Sequence, residues 1–168
     1  EISMQTFEVK KGQRVFCTKG LASMGYGLPS TIGACLASNR KLTVSVNGDG
    51  GFVMNIQELE TLHRLNLPVK IFVLCNGGYG AIKATQTNIF SGNFLACDPE
   101  SGLIIPNIGN VAKAYGLKSE QIYNNNELKK YGDVVLNIST REKLYSKIGG
   151  FVNENSIKLI LDILYACY

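Results

Sequence analysis

Two apolar runs that each end in a polar residue and glycines constrain the fold of this chain most. Residues 42–46 (LTVSV) predict a strand that leads into GDGG at 48–51, and residues 69–74 (VKIFVL) predict a strand that leads into NGG at 76–78. Both runs are nearly continuously apolar, which is typical of strands covered on both faces. With a helical pattern between them, they predict a βαβ unit that has parallel strands and a right-handed crossover.

The connecting helix has a predicted cap and a predicted apolar face. Asn55 fits the N-cap, Glu58 follows three residues later in a box-like arrangement, and Pro68 ends the helix. The apolar stripe of this helix consists of Ile56, Leu59, Leu62 and Leu65. His63 lies beside polar residues on the same helix, so we expect a surface residue there and not a catalyst.

Helices and strands also alternate on either side of this unit. Residues 28–38 predict a helix with Pro29 in its first turn, and Asn107 fits the cap of a helix that Gly116 ends. Residues 133–139 predict a later strand. The alternation predicts the α/β class, in three layers with a mostly parallel central sheet flanked by helices.

The chain is long enough for one domain with a sizeable core. We expect residues 1–168 to form that single domain, with 140–168 as an uncertain tail in which residues 157–164 fit either a helix or a strand. The first residue is Glu1 and not Met, so we expect a piece cut from a longer chain.

Composition disfavours several classes of protein. The net charge is +4, and the basic residues are scattered, so we expect no nucleic-acid partner. No run reaches the roughly 18 apolar residues of a membrane span, so we expect no membrane partner. The five cysteines are odd in number and lack C-x-x-C spacing, which disfavours disulfides and zinc and predicts a cytoplasmic protein.

The two polar tips predict a ligand site. Parallel strands end at the same edge of a sheet, where open α/β sheets hold ligands, so we expect Asp49 and Asn76 to lie close together there. A carboxylate, an amide oxygen and a backbone carbonyl suit Mg²⁺, which is usually held together with substrate phosphates. The N–H groups of Gly50 and Gly51, and a helix beginning near Asn55, are expected to face those phosphates.

A plain structural explanation competes with this one. D-G and N-G-G are also common turn sequences, so either motif alone is more often only a turn. The joint occurrence of two glycine-flanked polar tips, one helix apart, favours the site.

With these residues, the chain resembles the C-terminal, diphosphate-binding domain of thiamine diphosphate-dependent enzymes. The signature of that family is GDG followed by an asparagine, and here 76 − 49 gives 27 positions from Asp49 to Asn76. Within the family the likeness is greatest to acetolactate synthase large subunits. It is carried by residues 20–34 (GLASMGYGLPSTIGA), 48–70 and 76–80 (NGGYG).

The resemblance implies a role for each matching position. Asp49, Asn76 and the backbone carbonyl of Gly78 correspond to the Mg²⁺ ligands. Gly48, Gly50 and Gly51 border the diphosphate of thiamine diphosphate.

Two further positions correspond to catalytic ones in the family. Met24 stands where a bulky apolar residue bends the cofactor, and the carbonyl of Ala22 stands where the exocyclic amine is hydrogen-bonded. Two other positions depart from the family: Cys75 replaces a common first asparagine, and Ala81 replaces a larger apolar residue near the substrate.

The function implied by the resemblance is that of an acetolactate synthase-like carboligase acting on 2-keto acids. A 2-keto acid decarboxylase and a non-catalytic Mg²⁺–diphosphate-binding domain are alternatives. A nucleotide-binding domain is disfavoured, because a suitably placed G-x-G-x-x-G and a G-x-x-x-x-G-K-[ST] are both absent.

The family's catalytic glutamate belongs to a separate pyrimidine-binding domain, in the same or another subunit of a homo-oligomer such as a homodimer. No such domain is found in these residues. We therefore expect the C-terminal part of a three-domain enzyme that is inactive alone.

Overall fold

The computed structural model describes residues 8–18, 20–123 and 135–139. The described helices are α1 (Gly27–Ala37), α2 (Asp49–Phe52), α3 (Glu58–Leu65), α4 (Gly80–Ile89) and α5 (Ile108–Ala114), and single 3-10 turns lie at Val53–Asn55 and Pro99–Ser101. The described strands are β1 (Thr43–Gly48), β2 (Val69–Cys75), β3 (Ser119–Ile122) and β4 (Val135–Ser139). None of these helices combines the length and hydropathy that a bilayer crossing requires.

The four strands form one sheet in which every pairing is parallel. Their order is β1-β2-β4-β3. β1 and β2 are direct neighbours, and their register runs from Thr43 opposite Val69 to Gly48 opposite Leu74. The predicted α/β class, the parallel sheet and the βαβ unit are thus confirmed.

Both faces of β2 are buried, as its nearly continuous apolar sequence predicts. Ile71 and Val73 point to one face, where they join the buried core of the helices, and both are 0% exposed. Phe72 points to the opposite face by strand alternation and is only 2% exposed. Cover on both faces agrees with a three-layer arrangement.

One apolar cluster joins most of the helices to the first face of the sheet. Its buried members are Leu28, Ile32, Phe52, Leu59, Leu62, Ile71, Val73, Ile108 and Ala112. These residues come from α1, α2, α3, β2 and α5, so α4 contributes nothing to the cluster, and none of its residues is buried.

The predicted stripe of the crossover helix is confirmed at Leu59 and Leu62, whereas Ile56 packs against the core from outside the helix, and the predicted cap is wrong. Leu59 and Leu62 are buried, whereas His63 is exposed as expected. α3 begins only at Glu58, after Gln57, which makes no side-chain cap. The chain is already helical from Asp49 and passes through the 3-10 turn that contains Asn55, so Asn55 has no helix start to cap.

Most of the other predicted elements are present. α1 begins at Gly27 and places Pro29 in its first turn. The side chain of Asn107 caps α5 by accepting a 2.9 Å hydrogen bond from the N–H of Asn110, and Gly116 follows with φ of 75°. The strand predicted at 133–139 is β4. The sequence analysis did not predict α4 or β3, and the region 140–168 lies outside the described residues.

Candidate functional site

The tips of β1 and β2 are joined by a carboxylate. Gly48 ends β1 in an extended conformation, and the chain turns directly into α2 at Asp49. The side chain of Asp49 is buried: Oδ1 accepts a 2.8 Å hydrogen bond from the N–H of Gly50, and Oδ2 accepts a 2.7 Å hydrogen bond from the N–H of Gly77. The second bond links the GDGG and NGG motifs, which the strand order alone did not require.

The environment of Asp49 favours a cation. Burial raises the pKa of its carboxyl group, and the N–H donors of Gly77 and Gly50 offset part of that rise. Among residues 8–18, 20–123 and 135–139, no lysine or arginine forms an ion pair with Asp49. A buried carboxylate that lacks a cationic partner is costly to ionise, and a bound metal ion would stabilise its charge.

Cys75, at the end of β2, carries a thiol that its surroundings keep neutral. Burial, and then the nearby charge of Asp49, raise the pKa of its thiol to about 12. The thiol is therefore protonated at neutral pH, and the departure from the family asparagine adds no charge to the site.

The other two predicted metal ligands flank Gly77. The amide Oδ1 of Asn76 accepts a 3.3 Å hydrogen bond from the N–H of Gly78. The carbonyl oxygen of Gly78 lies 3.5 Å from the point that a Cβ on Gly50 would occupy. The structure thus brings Asp49, Asn76 and Gly78 to one edge of the sheet.

The chemistry of this donor set fits a hard cation. It comprises a carboxylate, an amide oxygen and a backbone carbonyl, the oxygen ligands that Mg²⁺ accepts. The described part of the chain contains no group of three or more histidine, cysteine, aspartate or glutamate side chains that could hold a metal.

The glycines of the GDGG motif differ in their surroundings. A Cβ on Gly50 would lie 2.5 Å from Cδ1 of Tyr79, so the tyrosine ring packs where only glycine fits. A Cβ on Gly51 would have the backbone nitrogen of Gly25 as its nearest neighbour, at 3.9 Å. Gly48 has open space, with nothing within 4 Å. Sequence reasoning did not assign a role to Tyr79, although the quoted NGGYG motif contains it.

The helical start at this edge also differs from the prediction. The first helical residue is Asp49 and not a residue near Asn55. The N–H of Gly50 donates to the Asp49 carboxylate. The N–H of Gly50, which was predicted to face a phosphate, is thus taken up by the Asp49 carboxylate.

Met24 and Ala22 lie on a neighbouring loop that Asn55 holds through Gly25. Nδ2 of Asn55 donates a 2.8 Å hydrogen bond to the carbonyl of Gly25. A Cβ on Gly25 would be 2.8 Å from that Nδ2, so the loop packs closely against the end of the 3-10 turn. Met24 is 44% exposed, and Ala22 has φ of 47°, in the left-handed region. Gly25, the residue after Met24, is the part of this loop that approaches GDGG, because its backbone nitrogen lies 3.9 Å from the Cβ position of Gly51.

An open pocket of about 240 Å³ adjoins the NGG motif. Its lining residues are Asn76, Gly77, Gly78, Lys83, Cys97, Asp98, Pro99 and Glu100. Lys83 and Asp98 form an ion pair in its wall. Neither residue was predicted from the sequence, because they are 15 positions apart and belong to no motif.

A parallel α/β sheet that carries a buried aspartate and an asparagine, each followed by glycines, at neighbouring strand ends is typical of domains that bind a ligand at the carboxyl edge of the sheet. The sequence model described as "Thiamine pyrophosphate enzyme, C-terminal TPP binding domain" matches residues 1–140. The chain belongs to this family of thiamine diphosphate (thiamine pyrophosphate) enzymes.

Known proteins agree with this membership. Acetolactate synthase 3, chloroplastic, of Brassica napus is 33% identical over 129 residues, which cover 74% of this chain and 20% of the relative. Acetolactate synthase, chloroplastic, of Arabidopsis thaliana is 34% identical over 122 residues, which cover 70% of this chain and 18% of the relative. The chain thus spans about a fifth of the length of these relatives.

A solved structure has the same fold. It is the thiamine diphosphate-dependent 4-hydroxybenzoylformate decarboxylase of Rhodococcus jostii RHA1, with a TM-score of 0.59 and 26% sequence identity. The match covers 70% of this chain and 23% of that one. The chain is therefore a thiamine diphosphate-binding C-terminal domain of the kind found in acetolactate synthase-like enzymes.

Proposed function

We propose that this chain binds Mg²⁺–thiamine diphosphate and serves as the cofactor-binding domain of an acetolactate synthase-like carboligase acting on 2-keto acids. The observation that carries the proposal is the buried Asp49 carboxylate, which joins the two glycine motifs through Gly77 and has no cationic side-chain partner among the described residues. The similarity to acetolactate synthases supports the choice of reaction.

In this proposal the residues at the sheet edge hold the metal and the diphosphate. Asp49, Asn76 and the Gly78 carbonyl are the protein ligands of Mg²⁺, and Gly48, Gly50 and Gly51 border the diphosphate. Open space at the Cβ position of Gly48, and only the backbone nitrogen of Gly25 at 3.9 Å from that of Gly51, support a close approach of a ligand to the backbone at these two glycines.

Met24 and Ala22 are the proposed catalytic positions of this chain. The side chain of Met24 would support the rings of the bound cofactor, and the carbonyl of Ala22 would accept a hydrogen bond from the cofactor amine. Asn55 holds their loop through Gly25. When bound, the cofactor supplies the electron sink through which a 2-keto acid loses carbon dioxide.

A second candidate is a 2-keto acid decarboxylase. The solved structure with the same fold is named as a decarboxylase of 4-hydroxybenzoylformate, which favours that reaction class. Both candidates use the same cofactor site, so the contacts described here support each of them equally. The identity of the product separates them.

The proposal also includes a partner domain. We propose that the pyrimidine-binding domain of the same or another subunit supplies the catalytic glutamate, in a homo-oligomer. The chain alone is then expected to bind cofactor without turning over pyruvate. Decarboxylation of pyruvate by the purified chain, lost in Asp49→Ala, would contradict this.

The binding site itself is tested by calorimetric titration with thiamine diphosphate. We expect heat of binding with Mg²⁺, and its loss after chelation of Mg²⁺ or in Asp49→Ala and Asn76→Ala. Glu120→Ala is the matched control, because Glu120 is an exposed residue of β3. Equal binding with and without Mg²⁺, or undiminished binding in Asp49→Ala, would contradict the proposed metal site.

The reaction class is tested by adding the pyrimidine-binding domain to the chain and analysing the products from pyruvate. Acetolactate would identify a carboligase, and acetaldehyde alone would identify a decarboxylase. Cofactor binding without either product would favour the non-catalytic alternative.

A further inference from the structure

The backbone that carries the Gly78 carbonyl lies against a second segment, residues 94–101, which we call the strap. The N–H of Tyr79 donates a 2.8 Å hydrogen bond to the carbonyl of Cys97. A Cβ on Gly78 would lie 2.3 Å from the same carbonyl oxygen and 3.3 Å from Cα of Asp98. The strap therefore holds the peptide unit between Gly78 and Tyr79, which carries the Gly78 carbonyl.

The strap is tied to α4 by side chains. Lys83 of α4 forms an ion pair with Oδ2 of Asp98, and the two side chains are only 16% and 12% exposed. The ammonium group of Lys83 also lies 5.0 Å from the ring centroid of Phe94, in cation–π range. Next to it, the amide of Gln86 donates to the carbonyl of Leu95 and accepts from its N–H, at 3.0 and 3.1 Å.

Asp98 also fixes the strap internally. Its Oδ1 accepts hydrogen bonds from the N–H of Ser101 at 2.9 Å and from the Oγ of Ser101 at 2.6 Å, which caps the 3-10 turn Pro99–Ser101. One carboxylate thus uses one oxygen to order the strap and the other to attach it to α4. Loss of the ion pair would leave a largely buried charge without its partner.

We propose that Lys83 and Asp98 form a positioning pair that holds the strap against Gly78 and so aims the Gly78 carbonyl at the bound cation. This inference rests on the proposed function, since it assigns Gly78 to the cation site. The pair acts through the strap and the backbone, and neither side chain touches the cation. Loss of a partner that orients a metal ligand typically weakens metal binding about 10- to 100-fold.

The pair can be distinguished from direct ligands by how its substitutions combine. Lys83→Met and Asp98→Asn each remove the ion pair, and Asp98→Asn retains an oxygen for the cap. If the two residues act only through each other, the double variant is no worse than either single variant. Lys83→Arg keeps the charge and is expected to restore the wild-type behaviour.

The test has a binding arm and an exchange arm. In the binding arm, Mg²⁺ is titrated calorimetrically into the whole 168-residue chain in the presence of thiamine diphosphate. We expect roughly tenfold weaker Mg²⁺ binding in Lys83→Met, in Asp98→Asn and in the double variant. Lys83→Arg and the control Lys113→Met, which removes an exposed lysine of α5, are expected to bind like the wild type.

In the exchange arm, amide hydrogen exchange is measured without ligand. We expect faster exchange of the Tyr79 N–H in Lys83→Met and Asp98→Asn, with little change in the N–H groups of β2. This readout reports the attachment of the strap and does not depend on cofactor.

Several results would overturn the inference. Unchanged Tyr79 exchange in Lys83→Met would show that the pair does not hold the strap. Faster exchange with unchanged Mg²⁺ affinity would show that the strap does not position the cation site. Additive losses of Mg²⁺ affinity in the double variant would make Lys83 a direct phosphate contact. A far larger loss in Asp98→Asn than in Lys83→Met would make Asp98 a ligand.

A wild type that shows the expected exchange but no Mg²⁺-dependent binding would contradict the proposed function, and with it this inference.

Discussion

The two βα units that form the candidate site are held in place by different kinds of contact. After β1, the chain buries Phe52, Leu59 and Leu62 in the apolar core. After β2, α4 buries no residue, and Lys83 and Gln86 tie it to the strap through charged and polar contacts among the described residues. The Asp49 half of the site thus rests on hydrophobic burial, whereas the Gly78 half depends on side-chain ties that one substitution can remove.

The largest difference is expected when one apolar side chain is shortened in each unit. Leu59→Ala in α3 removes a side chain that is 0% exposed, and we expect it to lower the free energy of unfolding by about 2–5 kcal/mol. Ile89→Ala in α4 removes one that is 70% exposed, and the change is expected to stay within about 0.5 kcal/mol. Urea denaturation measures both. Similar losses of unfolding free energy in the two variants would contradict the claim that only the first unit rests on hydrophobic burial.

A smaller effect is expected where the second unit meets the strap. In Gly78→Ala the new Cβ would lie 2.3 Å from the Cys97 carbonyl, so the strap or the turn must move. We expect a loss of about 1–3 kcal/mol, in the range of overpacked sites, together with weaker Mg²⁺ binding.

Gly33→Ala is the matched control for that substitution. Gly33 lies within α1 and has nothing within 4 Å of its Cβ position. Alanine there should stabilise the chain by about 0.5–1 kcal/mol, because it reduces backbone freedom in a helix. A Gly78→Ala variant as stable as Gly33→Ala would show that the strap can move away from Gly78 at little cost in free energy.

The smallest effect concerns the pH dependence of the second unit. The hydrogen-bonded ion pair with Lys83, and then Ser101, lower the pKa of Asp98 from 3.8 to about 2. Because the folded-state pKa lies below the unfolded one, ionised Asp98 stabilises the fold above pH 3.8, and this contribution disappears as the pH falls toward 2.

The measurement is the difference in unfolding free energy between wild type and Asp98→Asn at several pH values. We expect the wild type to be more stable near neutral pH and the difference to shrink between about pH 4 and pH 2. A difference that is independent of pH would show that the charge of Asp98 does not contribute. Leu59→Ala, with no change in charge, should show no such trend.

The same contrast explains how much of the molecule could be predicted from sequence. The strands, the stripe of α3, the cap at Asn107 and the adjacency of Asp49 and Asn76 follow from local patterns that repeat at fixed spacing. α4 was missed because a helix that buries nothing has no apolar stripe to detect. Its partners in the strap are set by tertiary contact, as in the pairing of Lys83 with Asp98.

The cap assigned to Asn55 failed for a related reason. N-x-x-E fits a capping box, but the buried Asp49 had already started the helical path. The side chain of Asn55 instead donates a hydrogen bond to the carbonyl of Gly25, and no local sequence pattern predicts this contact. Likewise, the hydrogen bond from Gly77 to Asp49 depends on the register of two strands, which sequence alone did not determine.

The most direct test of the central claim is a crystal structure of the chain grown with thiamine diphosphate and Mn²⁺, a substitute for Mg²⁺ that is visible by anomalous scattering. We predict one anomalous peak at the tips of β1 and β2, roughly 2.1 Å from oxygens of Asp49, Asn76 and Gly78. A peak elsewhere would contradict the account. So would side-chain oxygens of Asp49 and Asn76 more than about 5 Å apart, because a single ion with bonds of that length could not reach both.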